Sequence, residues 1–386
     1  MDYASSAPID PRVFSIMAKI IKNNFANPSS IHSLGLEAKN ILENCRKKIA
    51  DIIGAHADEI VFTSGATESN NFAILGVVRS WKNKGLPHVI TLNIEHTSVY
   101  EMCKFLEKEK IAEVTYIPVE KNGIVDPKKI KEAIRPNTVL VSVMYANNEI
   151  GTIQPIKEIA KEIRHCEKQS RSVLNCFFHT DATQAMNYLP INVEKLGVDM
   201  LSFNGSKIYG PKGVGVLYIK RNISLQKIMF GGSQENEYRP GTENLSGVVG
   251  ITEALQITEK IKEKESARLK KLQEYFLGKL EKIGVTVNGD IKNRLPNNIN
   301  ITVPNIPSEL LVIELSSRGI MVSGKSACKS GDTETSHVIK AVCKKGKGVD
   351  GSIRFSMGRN TTKKDIDYVL KSLESILLKL GKWYRN

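Results

Sequence analysis

Three stretches of this 386-residue chain hold side chains that could do chemistry together. Thr63-Ser64-Gly65-Ala66-Thr67-Glu68 follows a β-rich run and opens a helical one. Small residues let the backbone approach an anion, and the free N–H groups at a helix N-terminus favour phosphate there, although ordinary capping by Thr67 uses the same residue types. In Phe178-His179-Thr180-Asp181-Ala182-Thr183-Gln184 an apolar strand ends in an acid, with an amide three residues on. A carboxylate so placed faces a ligand crevice or caps a helix. Ser202-Phe203-Asn204-Gly205-Ser206-Lys207 then sets a lysine in a hydroxyl- and glycine-rich turn. A lysine whose pKa is lowered by burial or charge can form a Schiff base, whereas one in an open loop is merely solvated. Their order matters: phosphate cradle, acid, then lysine is the parts list of a pyridoxal-phosphate site, with the acid keeping the pyridine nitrogen protonated.

Two further motifs lie towards the C-terminus. Cys328 sits among Ser, Gly and Lys residues, a polar electropositive setting that favours thiolate, and its composition leaves a catalytic and a structural role both open. Gly319 to Ser326 satisfies the P-loop expression, but a P-loop needs a strand before it and a helix after it. Here residues 308–318 read as helix and 329–336 as polar loop, so the match is set aside.

The elements that must carry these groups read as α/β. Short β-rich runs at 59–63, 88–94, 113–119, 138–146 and 174–180 alternate with helical stretches around 68–83, 97–110, 127–135 and 155–168. That punctuation predicts a mostly parallel sheet covered by helices, with 200–203 and 214–219 flanking a Gly-rich turn where the sheet ends. Beyond residue 250 the pattern changes to amphipathic helix (259–282), a strand at 298–303, a polar loop over 323–336 and a closing helix from Lys363, which fits a smaller α+β domain. The length accommodates two or three domains.

Composition excludes disorder and collagen, at 41% apolar and 25% charged. The net charge of +14 is spread along the chain, so no direct nucleic-acid contact is expected. No apolar run approaches a membrane span, and Met1-Asp2-Tyr3 lacks a basic-then-apolar leader, which points to the cytoplasm. Six cysteines without a CxxC pair predict reduced thiols, and no metal site is expected.

With these residues in view, the chain resembles the cysteine desulfurases of the NifS/IscS type, within the class V branch of fold-type I pyridoxal-phosphate enzymes. The likeness runs nearly end to end. It covers Asp2-Tyr3 through Pro8, Asn27-Pro28 through His32, Ser64 to Asn70, Glu95-His96, Asn147-Asn148-Glu149-Ile150-Gly151 and His179 to Gln184. It continues through Lys207 to Gly213, Arg239-Pro240-Gly241-Thr242-Glu243-Asn244, Ser326-Ala327-Cys328 and Ser352 to Ser356. The resemblance implies a large cofactor-binding domain over 12–250 with a seven-stranded type of sheet. A small domain of 1–11 and 251–386 would carry the nucleophilic-cysteine loop.

It also implies roles. Lys207 would hold pyridoxal 5'-phosphate as a Schiff base, Asp181 would pair with the ring nitrogen, His96 would stack over the ring, and Gln184 would bond the phenolic oxygen. Ala66 and Thr67, with Asn204 and Ser206, would bind the phosphate. Thr242 would reach the phosphate of a partner subunit, which implies a homodimer. Asn148 and Arg354 would contact the L-cysteine substrate, Arg354 gripping its carboxylate. Cys328 would take the substrate sulfur as a persulfide, releasing alanine and passing sulfur to an acceptor protein for iron–sulfur cluster assembly or tRNA thiolation.

Two departures stand out. The family turn before the lysine usually reads Ser-x-His-Lys, whereas this chain has Asn204-Gly205-Ser206-Lys207, from which weaker cofactor retention is expected. Lys325 replaces a usual glycine ahead of Cys328, and it could help ionise the thiol or dock an acidic acceptor. A selenocysteine lyase, another class V lyase, or a cofactor-poor scaffold of the same fold are the alternatives.

Overall fold

The β-rich runs pair into one seven-stranded sheet. The computed structural model describes residues 1–169, 176–324, 336–343 and 351–384. The strands are β1 (Ile60–Thr63), β2 (His88–Leu92), β3 (Glu113–Ile117), β4 (Thr138–Ser142), β5 (Phe177–Asp181), β6 (Met200–Asn204) and β7 (Gly215–Ile219), in the order β1-β7-β6-β5-β4-β2-β3. β6, β5, β4, β2 and β3 run parallel, and β7 is antiparallel to both β6 and β1. Two reversals leave β1 pointing with the parallel strands. Thr63, Asp181 and Asn204 therefore end their strands at a single edge, where ligands bind in open α/β sheets.

Alternation along each strand builds a core on each face. Phe62, Ile90, Val141, Leu201 and Val216 join one cluster, while their neighbours Val61, Val89, Leu140, Met200 and Leu217 join the other. Helices α3 (Ala66–Ser80), α4 (Thr97–Lys108), α5 (Pro127–Ala133), α6 (Ile156–Gln169) and the short α7 (Val193–Leu196) connect the strands.

Three expectations need correction. The sheet does not end at residues 214–219, because β1 pairs outside β7 with Ile60 opposite Tyr218. Hydrophobic periodicity marks a strand but not its partner. Residues 143–146, read as strand, leave β4 at Ser142, although Val143 N and Tyr145 N still donate to His179 O and Asp181 O. Two helices before residue 58 were not foreseen, α1 (Pro11–Asn23) and α2 (Ser33–Ile53). Their signals are present: Asp10 accepts from Arg12 N with Pro11 in the first turn, and Gly54 ends α2 at φ 72°.

A second sheet, antiparallel, joins β10 (Ser352–Ser356), β9 (Asn298–Thr302) and β8 (Thr286–Val287) in that order. Helices α9 (Ser308–Ser316) and α11 (Lys363–Tyr384) accompany it, around a core that includes Leu269, Phe276, Ile301, Phe355 and Leu373. Helix α8 (Leu245–Leu280) runs through residue 250 without a break. Val248, Ile251 and Leu255 serve the large core, and Leu269, Phe276 and Leu280 the small one. Helix α10 (His337–Val342) places Val338 and Ile339 in the large core.

Candidate active site

Strand ends and helix starts converge on a cavity of about 180 Å³. The start of α3 brings Ala66 and Thr67, the residue before α4 brings His96, and the turn beyond β4 brings Asn148. The end of β5 supplies Asp181 and, just beyond it, Gln184; the end of β6 supplies Asn204 and, after a 3₁₀ turn, Lys207. Arg354 enters from β10, so the small sheet closes the site. Nine residues named from sequence thus line one space.

The cavity's chemistry suits pyridoxal phosphate. Gly65 precedes α3 with no side-chain cap, and a Cβ on Gly65 would meet nothing within 4 Å, so the first N–H groups of a 15-residue helix face an anion site. Three buried polar atoms on lining residues have no partner among the described residues: Asn148 Oδ1, Thr183 Oγ1 and Arg354 Nε. Buried polar atoms in native proteins are nearly always satisfied, so these three are the contacts a bound polar ligand would complete. The donor set, an acid at one end, a helix N-terminus at another and a lysine between, matches a ring nitrogen, a phosphate and an aldehyde.

The acid is held firmly. Asp181 Oδ2 accepts from Asn70 Nδ2 at 2.7 Å and Oδ1 from Thr183 N at 2.9 Å. Behind it, burial, reinforced by the charge of Asp181, pushes the Glu95 carboxyl well above the usual carboxylate range. Of the two carboxyls, Asp181 is the one that lines the cavity. His179 lies beneath Asp181 on the same strand between Ser142 Oγ and Ser202 Oγ, each at 2.9 Å, and burial pushes its imidazole down to about 4. His96 Nδ1 accepts from Ser98 N at 3.2 Å.

The N-terminal segment touches both cationic residues. Lys207 Nζ donates to Ser5 O, and Arg354 Nη2 donates to Ser5 Oγ at 2.6 Å and to Asp2 Oδ1 at 2.8 Å. Arg354 Nη1 donates to Asn148 O at 2.8 Å, and its side chain is only 3% exposed. A guanidinium fixed on three sides presents Nε in a set direction.

Some expected site residues lie elsewhere. Ser206 does not line the cavity, and its hydroxyl donates to Asn204 Oδ1 at 3.2 Å. Thr242 is exposed, away from the cavity of its own chain. Cys328 and Lys325 lie outside the described residues. The P-loop match fails in the expected way, since helix α9 rather than a strand precedes it. Sequence reasoning missed Asn70, Ser98, Thr183 and Ser5. Each sits in or beside a motif already singled out, but nothing in its local pattern says which atom it meets.

A family model for aminotransferase class-V matches residues 1–369. A cysteine desulfurase IscS from Dictyoglomus turgidum is 45% identical over 98% of this chain and 94% of its own length. A solved NifS-like protein superposes with a TM-score of 0.90 at 33% identity, covering 98% of this chain and 99% of that one. A structure described as SspA in complex with cysteine has a TM-score of 0.80 at 34% identity, over 92% of this chain and 97% of that one.

Proposed function

We propose, from the premise that the chain belongs to the aminotransferase class-V family and acts as a cysteine desulfurase, that it converts L-cysteine to L-alanine with pyridoxal phosphate at this cavity and sulfur passed to Cys328. The observation that carries this is the convergence of Lys207, Asp181, the start of α3 and Arg354 on one space. That a solved relative is described as holding cysteine supports the substrate. Bound there, pyridoxal phosphate supplies an electron sink for negative charge at the substrate's α-carbon.

The chain's own residues do the rest. Ala66 and Thr67 hold the phosphate and Asp181 the ring nitrogen. Arg354 Nε binds the substrate carboxylate, and Asn148 Oδ1 accepts from a substrate or cofactor donor. Lys207 Nζ would hold the aldehyde and is placed to move the proton at the α-carbon. Cys328 thiolate forms a bond to the substrate sulfur while the Cβ–S bond breaks, its electron pair staying with carbon, which takes up a proton to give alanine. Chain length supports this assignment. Gly324 follows Ser323, whose Oγ lies 3.0 Å from Arg354 Nη2, and the four residues from there to Cys328 reach at most about 14 Å.

A homodimer is supported by apolar side chains left in water: Phe25 is 81%, Ile31 93% and Phe230 80% exposed. Pro28 and Ser29 line the same surface hollow as Ser233 and Gln234, so these side chains belong to one region. That region adjoins the segment carrying Thr242, in keeping with Thr242 serving the partner's phosphate. The net charge of +14 suits docking of an acidic sulfur-acceptor protein for cluster assembly or tRNA thiolation. No described helix is long and apolar enough to cross a membrane. The five described cysteines are free.

The test is incubation with cysteine and pyridoxal phosphate. Alanine should appear together with a mass gain of one sulfur on the peptide containing Cys328. Alanine formed equally well by Cys328→Ala would instead mark a lyase.

A further inference from the structure

Asn70 lies in the second turn of α3, fully buried, and its amide nitrogen reaches in two directions. Nδ2 donates to Asp181 Oδ2 at 2.7 Å and to Ser98 Oγ at 2.8 Å. Oδ1 is buried with no partner among the described residues. The amide cannot be turned over, because its oxygen would then face the Asp181 carboxylate. Both amide protons are thus committed, one to the acid and one to the serine.

The chain continues to His96. Ser98 N donates to His96 Nδ1 at 3.2 Å, so Nδ1 is the unprotonated ring nitrogen and the neutral imidazole carries its proton on Nε2. Ser98 Oγ stands 2.8 Å from the same Nδ1. With one lone pair of Ser98 Oγ taken by Asn70, its hydroxyl proton is turned towards the histidine. Asp181, Asn70, Ser98 and His96 form one directional series.

We propose that Asn70 is a positioning residue which, through the Ser98 hydroxyl, adds a second hydrogen bond to the Nδ1 that Ser98 N already holds and so ties the orientation of His96 to the same frame that holds Asp181. It deepens the reading of the cavity as a pyridoxal-phosphate site and rests on it: the group over the ring and the group at the ring nitrogen are set by a single buried amide. Hydrogen bonds in series polarise one another, so the two ends respond together.

Nitrogen-15 NMR of histidine-labelled protein, with His96→Gln for assignment, tests this with and without cofactor. The natural protein should show His96 with Nδ1 unprotonated and Nε2 protonated. Asn70→Ala and Ser98→Ala, which both keep the backbone N–H at position 98, should each move the His96 Nδ1 resonance and lower kcat about ten-fold, with KM for cysteine held within about two-fold. Ser98→Thr, which keeps the hydroxyl, should restore both. The Asn70→Ala/Ser98→Ala pair should lose little more than the worse single variant. An unmoved His96 Nδ1 resonance in either alanine variant, or rate losses that multiply in the pair, would overturn the proposal. Should Asn70→Ala fail to fold, Asn70→Ser, too short to reach both Asp181 and Ser98, takes its place with the same expected shift. Failure of the natural protein to bind pyridoxal phosphate would sink the cofactor reading instead, and the Nδ1 measurement without cofactor would still judge Asn70.

Discussion

Ser336 donates its hydroxyl to Glu149 Oε2 at 2.6 Å, a buried bond between the residue opening α10 and the neighbour of Asn148. The next residue, His337, donates Nε2–H to Glu95 O at 2.9 Å and stacks on Tyr100 with ring centroids 4.7 Å apart. Two consecutive side chains thus stand on the two turns that carry Asn148 and His96. Cys328 precedes Ser336 by eight residues, a reach of at most about 28 Å. Ser336→Ala and His337→Ala are expected to slow sulfur arrival on Cys328 about ten-fold while cofactor affinity holds. Rapid-quench mass spectrometry of the Cys328 peptide, beside a cofactor titration, measures both.

Arg354 is nearly saturated by the protein, with Asp2, Ser5, Ser323 and Asn148 O all taken by its terminal nitrogens. Among the described residues, Nε alone of its nitrogens has no partner. Lysine at this position would lose the planar fork and Nε together. Arg354→Lys should raise KM for cysteine roughly thirty-fold, the equivalent of about 2 kcal/mol for a charged hydrogen bond. Steady-state kinetics decides the matter, and an unaltered KM would show that the carboxylate is bound elsewhere.

Stability should fall on the acid side of neutrality. His88, bonded to Thr138 Oγ1 and Thr115 Oγ1 at 2.8 Å each, is pushed down to about 4 mainly by burial, as is His179. The unfolded chain takes up these protons near 6.5. Between about 6.5 and 4 it therefore binds more protons than the folded one, and stability declines as pH falls through that window. Above 6.5 both contributions are fully present. Melting temperatures measured from pH 8 to 5 should drop below about 6.5, and His88→Gln should flatten that drop. A level profile in the natural protein contradicts the burial account.

The segment ahead of Thr242 depends on a buried ion pair. Arg46 donates from both terminal nitrogens to Glu235, at 2.8 Å each, and Glu235 also accepts from Phe62 N at 2.7 Å. Glu235, Asn236 and Glu237 all take positive φ, at 50°, 54° and 65°, a run that side-chain-bearing residues avoid unless their contacts compel it. Removing Glu235 takes the carboxylate from both terminal nitrogens of the buried Arg46, leaving it only the carboxylate of the half-exposed Glu43, which its Nε meets at 3.2 Å. Glu235→Ala should cost about 3 to 5 kcal/mol in urea unfolding. It should also speed amide exchange around Thr242, whereas an exposed pair such as Lys47 with Asp51 should cost under about 1 kcal/mol.

The strands of the large sheet were written in the chain's periodicity and the sequence of cradle, acid and lysine in its motif order, whereas His96, Asn148 and Arg354 were named by the family resemblance alone. Alternating apolar runs specify strands whatever their partners, and Thr63 to Thr67, Asp181 to Gln184 and Asn204 to Lys207 each stand where a strand ends. What pairing decides is not local. That β1 lies outside β7, that α8 serves two cores, and that Asn70 bonds Asp181 across 111 residues depend on which surfaces meet once the chain collapses. Ser5 shows the same limit. Nothing near it in sequence announces a contact with Lys207 or Arg354, because both are brought to it by separate sheets. Residue types and their spacing set which groups are available and at which strand ends. Only the packing of two sheets against one N-terminal segment set the distances and directions through which those groups act.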